Sequence, residues 1–221
     1  MKVLIAGATG GIGSQALRQS LAHPRITKVV TFTRRSLSLE HPKLESILIK
    51  NFEEWPEHVL SQHADAAGII WCIGSYSGDE KLDFEYSVAF MEAMVQVLDA
   101  KKRDAPFRYV HLSGKFVRQD QSLNLWWGDR PRKLKGKSDT AALEMAEKHA
   151  AAWHTHVVKP GGVAHHPWQA LGVWLMGDNW AVRGQELGAF MAYLVVDGQG
   201  ESSTILNNRI AQKGRALLRE A

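Results

Sequence analysis

Three glycines, Gly7, Gly10 and Gly13, stand three residues apart directly behind the short apolar run Lys2-Val3-Leu4-Ile5-Ala6. No other feature limits the fold of this chain as tightly. Beyond them, Ile12, Ala16, Leu17 and Leu21 fall on one helical face, so the segment predicts strand, tight turn and helix. One glycine permits the turn, a second lets the backbone approach a bulky anion, and a third lets helix and strand close on each other. The free N–H groups and partial positive charge of the helix start suit a phosphate. A β-branched side chain at Gly10 is expected to block that approach and to resist a positive φ there.

The rest of the chain continues the alternation. Strands are expected at 29–33, 44–49, 66–73, 108–112, 155–159 and 203–206, with helices near 83–102, 138–153 and 186–196 and a last helix running to 221. This pattern predicts an α/β, Rossmann-type, doubly wound parallel sheet. The 221 residues fit one domain, 1–221, in which residues about 161–202 form a small C-terminal insert covering a substrate. Residues 113–134 are expected as a long polar and aromatic connection. Pro131 and Gly136 argue against a settled helix before Ser138.

In such a fold the glycine turn, Gly7, Thr9, Gly10, Gly11, Ile12 and Gly13, is expected to hold a dinucleotide pyrophosphate. The second strand then ends in Thr33-Arg34-Arg35-Ser36, where an NAD site would carry an acidic side chain. Arg34 and Arg35 instead match the 2′-phosphate of NADP(H), which guanidinium groups bind bidentately.

Composition removes several classes. The single cysteine, Cys72, rules out an intramolecular disulfide framework and a multi-cysteine zinc site. His154 and His156 share a strand face without an evident third ligand, so no metal is expected. The start lacks the pattern of a signal peptide and no apolar stretch reaches membrane-span length, so a reducing, cytoplasmic setting is expected, with no membrane partner. The net charge of +4 is too mild to imply nucleic acid, and the basic run Arg130, Arg132, Lys133, Lys135 and Lys137 reads as a solvated face. Six of the eight tryptophans, Trp126, Trp127, Trp153, Trp168, Trp174 and Trp180, lie in the second half, as pocket lining or as core and lid packing. The partner expected is a small-molecule substrate, bound by a monomer or homodimer.

The opening Gly7-Ala8-Thr9-Gly10-Gly11-Ile12-Gly13 resembles the atypical and extended short-chain dehydrogenase/reductase superfamily, including its NmrA-like and Tat-interacting-protein-like branches. Trp71-Cys72-Ile73-Gly74-Ser75, Val110-His111-Leu112-Ser113-Gly114-Lys115, Lys159-Pro160-Gly161-Gly162-Val163 and Thr204 to Ile210 extend the resemblance in order. It implies that Cys72, Gly74, Ser75, Lys115, Pro160, Gly161 and Gly162 border the cofactor, and that Ser113 polarises a substrate carbonyl. The family's Tyr-x-x-x-Lys pair is broken: Lys135 matches the lysine, but Pro131 stands where the tyrosine belongs. No tyrosine of the chain has lysine four residues on.

Another proton source is therefore required, and His165, His166, Tyr76 or water are the candidates. Lys115 and Lys135 are candidates for the nicotinamide ribose or an anionic substrate. The expected activity is NADPH-dependent reduction of a small, largely apolar carbonyl or enone. Two other readings stay open: a non-redox isomerase or cyclase, and a non-catalytic NADP(H) sensor.

Overall fold

The computed structural model describes residues 1–101, 103–122 and 128–220. Trp126 and Trp127 of the tryptophan-rich half lie outside them. The chain begins β1 (Lys2–Ala6), α1 (Gly11–Ala22), β2 (Lys28–Thr33), β3 (Leu44–Leu48), α2 (Glu57–Ser61) and β4 (Gly68–Trp71). A wide π-type turn, Lys81–Glu85, runs directly into α3 (Tyr86–Asp99). Then come β5 (Phe107–Leu112), α4 (Asp129–Lys148), β6 (Trp153–Lys159), β7 (Gly162–Ala164), α5 (Ala170–Met176) and β8 (Ala181–Arg183). The chain closes with α6 (Gly184–Asp197), β9 (Thr204–Leu206) and α7 (Asn207–Glu220).

Seven strands form one parallel sheet in the order β3-β2-β1-β4-β5-β6-β9. The order reverses beside β1, between β1 and β4, which is where open α/β sheets leave a crevice for ligands. Alternate strand residues feed two cores. Val3, Ile5, Val29, Ile70 and Val110 pack with Leu17 of α1, Phe190 of α6 and Ile210 of α7. Leu4, Phe32, Trp71 and Tyr109 face the other way, against Leu60 of α2, Phe90 and Met94 of α3, and Ala142 of α4. Trp55, Trp71 and Trp153 are spent in that second core, where edge and tilted ring contacts fill the volume. Within the stretch expected as a cap, α6 is a core helix. β7 and β8 pair with each other in a separate parallel ribbon, and Val182 of β8 is buried in the first core, with Val163 of β7 packed against it.

One expectation fails at α4. The helix starts at Asp129, nine residues before Ser138. Pro131 falls in its first turn, where a missing N–H breaks no helical hydrogen bond. Gly136 does not weaken the helix by accident: a Cβ there would lie 1.7 Å from the Arg118 carbonyl oxygen. The residue lets the segment after β5 pass against the helix, and that packing overrides its poor helix propensity.

Candidate active site

Four strand ends meet at the C-terminal edge of the sheet: Gly7 after β1, Cys72 to Ser75 after β4, Ser113 to Lys115 after β5, and Pro160-Gly161 after β6. The last three of these, with the first turns of α1 and α4, enclose a cavity of about 620 Å³, and Gly7 itself lies outside its wall. Gly7 has φ +83°, and a Cβ there would fall 2.7 Å from the Cys72 carbonyl carbon. A Cβ on Gly13 would sit 2.0 Å from the Gly7 oxygen. These two glycines fix the turn. Gly10 does not need positive φ, contrary to expectation: its φ is −77°, and a Cβ there would lie 3.4 Å from the Gly7 oxygen. The start of α1 has no side-chain cap, so its N–H groups face the cavity end lined by Gly10 to Gly13.

Two buried carboxylates organise the opposite end. Asp83, on the π-type turn, accepts the Ser75 N–H at 2.6 Å, the Ser75 hydroxyl at 2.7 Å and the Lys135 ammonium at 2.8 Å. Gly74 makes room for this, since a Cβ there would lie 2.8 Å from Lys135 Nζ. Asp139, one turn beyond Lys135 on α4, has no exposed side-chain surface. Its Oδ2 accepts the Ser113 hydroxyl at 2.9 Å and the Lys159 ammonium at 2.7 Å. Its Oδ1 has no hydrogen-bond partner among the described residues. His111 Nε2 stands 3.7 Å away, too far for a hydrogen bond, while His111 Nδ1 lies 3.2 Å from the Tyr109 hydroxyl. Burial pushes His111 down to about 4, against the opposing pull of Asp139, and raises Tyr109 well above its usual value. Both are neutral near pH 7. Burial also pushes the Cys72 thiol up to about 12, so no thiolate nucleophile forms there.

No protein-family model matches this sequence, and no curated protein sequence matches it. Solved structures do match its fold. The oxidoreductase ylbE from Lactococcus lactis aligns with a TM-score of 0.68 at 16% identity, over 99% of this chain and 97% of that one. A short chain dehydrogenase from Burkholderia cenocepacia in complex with NADP aligns at 0.63 and 14% identity, over 98% and 92%. The dTDP-glucose 4,6-dehydratase of Bacillus anthracis in complex with NAD aligns at 0.63 and 14%, over 99% and 81%. The chain has the short-chain dehydrogenase fold.

Within that fold the cavity gathers many of the expected residues. Gly10 to Gly13 and Cys72, Gly74 and Ser75 line it, as do Ser113, Lys115, Lys135, Pro160 and Gly161. Pro131, at the tyrosine position, lines it one helical turn before Lys135. Tyr76 also borders it, but at the mouth and 93% exposed. His165 lies on the glycine turn, its ring carbon 3.0 Å from where a Cβ on Gly11 would be. His166 is not brought in: it is exposed and stacks on Trp168. Thr9, Gly162, Arg34 and Arg35 lie outside the cavity wall, the two arginines exposed just past the end of β2. His154 and His156 do sit side by side, ring centroids 4.5 Å apart, with no third metal-binding group among the described residues.

Asp83, Asp139, Lys159 and His111 were not singled out from the sequence. One signal was present. Lys159 follows the apolar pair Val157-Val158 at the end of a strand, and a buried ammonium requires a carboxylate from somewhere in the fold.

Proposed function

We propose that the chain is an NADP(H)-dependent oxidoreductase acting on a small, largely apolar carbonyl compound or the alcohol it interconverts with. The observation that carries this reading is the continuous cavity from the uncapped α1 start to Ser113 and Lys135. The residues present fit a nicotinamide dinucleotide: backbone N–H groups at Gly11 to Gly13 for the pyrophosphate, Gly74 and Ser75 with Lys135 for a ribose, and Pro160-Gly161 beside the reacting end. Proteins of this fold bind NAD in one case and NADP in another. When bound, the nicotinamide supplies the hydride donor or acceptor. The chain supplies the cradle, the apolar walls of Leu112, Phe116, Val117 and Val163, and the hydroxyl of Ser113.

The preference for NADP(H) rests on Arg34 and Arg35, exposed where the adenosine ribose of this fold lies and with no acidic residue beside them in sequence. Calorimetric titration tests it. NADPH is expected to bind more tightly than NADH, and Arg34→Ala or Arg35→Ala to weaken NADPH alone, by about 1.5–3 kcal/mol per lost charge-assisted contact. Equal affinities of the native protein for the two cofactors refute the preference. Oxidation of NADPH over a panel of ketones and enones then tests turnover.

A further inference from the structure

We propose that Ser113 and Asp139 form a proton-accepting relay, so that the cavity receives an alcohol O–H, rather than a carbonyl oxygen, at Ser113. The proposal rests on the oxidoreductase reading and names its substrate class. A serine hydroxyl has one proton to give. Here it is given to Asp139 Oδ2, because a carboxylate only accepts and Lys159 balances its charge from 2.7 Å. Ser113 therefore lines the cavity with lone pairs, which accept a hydrogen bond and cannot polarise a carbonyl. Neutral His111, with Tyr109 behind its Nδ1, stands by the unpartnered Oδ1 and closes the network away from the cavity.

The step balances as a dehydrogenation. The substrate O–H bond breaks and its proton passes to Ser113 Oγ, while the proton of Ser113 passes to Asp139 Oδ2. The carbinol carbon gives up its hydrogen with the electron pair to oxidised nicotinamide, and the carbon–oxygen double bond forms. One proton stays on Asp139, two electrons and a hydrogen leave with the cofactor, and the product is the ketone. The reverse reduction needs Asp139 to be protonated first.

The test uses an isosteric probe pair, 1-phenylethanol and acetophenone, bound to protein loaded with redox-inert tetrahydro-NADP and followed by competition calorimetry. The native protein is expected to favour the alcohol by about fivefold, the value of one net hydrogen bond. Asp139→Asn should keep the alcohol preference, because Lys159 shares the oxygen that Ser113 binds and so holds the amide oxygen, an acceptor, towards Ser113, but it should abolish alcohol-dependent reduction of NADP, because an amide takes up no proton. A merely structural role for Asp139 predicts that turnover falls together with the alcohol preference or not at all. Ser113→Ala, which leaves the buried ion pair intact, should abolish the preference even if the first variant fails to fold. A ketone preference, no preference or no alcohol binding in the native protein overturns the relay, as does a preference that survives Ser113→Ala. Failure of the native protein to bind the cofactor analogue would instead overturn the oxidoreductase reading.

Discussion

Replacing Gly13 with alanine isolates the contact on which the glycine turn depends. The added carbon would lie 2.0 Å from the Gly7 oxygen and 2.8 Å from its carbonyl carbon, both backbone atoms. No side-chain rotation relieves such a clash, so either α1 must move away from β1 or the turn must open. Overpacking of this kind costs about 1–3 kcal/mol, and contact with backbone puts this case near 3 kcal/mol. For a chain of this size that is a fall in Tm of roughly 6–12 °C. Cofactor affinity should fall further, because the displaced N–H groups are those that face the pyrophosphate. Gly10→Ala is the matched control: its Cβ would make ordinary contact at 3.4 Å, φ is already −77°, and only a modest N-cap penalty of at most about 1 kcal/mol applies. Urea melts and NADPH titration of both variants read the two effects. Equal losses for Gly10→Ala and Gly13→Ala would refute the close-packing account of the turn.

Lys159→Met should cost about 3–5 kcal/mol in urea melts by leaving Asp139 buried without its counter-charge, and adding Asp139→Asn should recover more than half of the loss. His111 and His156, both held near 4 by burial, stay neutral when folded but titrate near 6.5 when unfolded. The unfolded chain takes up these protons first, so stability is complete above about pH 6.5 and is lost as pH falls towards 4, by about 2 kcal/mol per histidine between pH 7 and 5. Urea melts at those two pH values check this, and His156→Gln should roughly halve the fall. Pro131→Tyr should not create an efficient tyrosine-dependent reductase, since the Lys135 ammonium that would activate the phenol is held at 2.8 Å by Asp83. Single-turnover NADPH oxidation equal to that of a conventional tyrosine enzyme would show that the Asp83 contact yields.

The sheet was legible because its signals are local. β1, β2 and β5 are short apolar runs with a glycine, arginine or serine turn after each, and their bounds differ from expectation by a residue at most. The beginning of α4 was not legible, because Gly136 and Pro131 look like helix breakers until their partners are known. One faces the Arg118 backbone across the fold, and the other falls in a first turn that only the completed helix defines. Likewise, β7 and β8 were not expected: three residues each are too few to show an alternation, and nothing local shows that they pair with each other, away from the main sheet.

The site was legible in its backbone and hidden in its charges. Glycine spacing reports a turn directly, whereas a buried carboxylate acts through partners distant in sequence. Asp83 binds Lys135 across 52 positions, and Asp139 binds Ser113 and Lys159 across 26 and 20. Those pairings change what the lysine and the serine can do. Lys135 stands where the resemblance places a lysine but is held by the Asp83 carboxylate, so it is not a free cation. Ser113 keeps its strand end but spends its proton on Asp139, so the group expected to donate to a substrate becomes one that accepts. Under the proposed relay, Pro131 at the cavity wall and Asp139 behind Ser113 act in one direction: the proton leaves the substrate through the serine into the buried carboxylate, instead of arriving from a phenol at the wall.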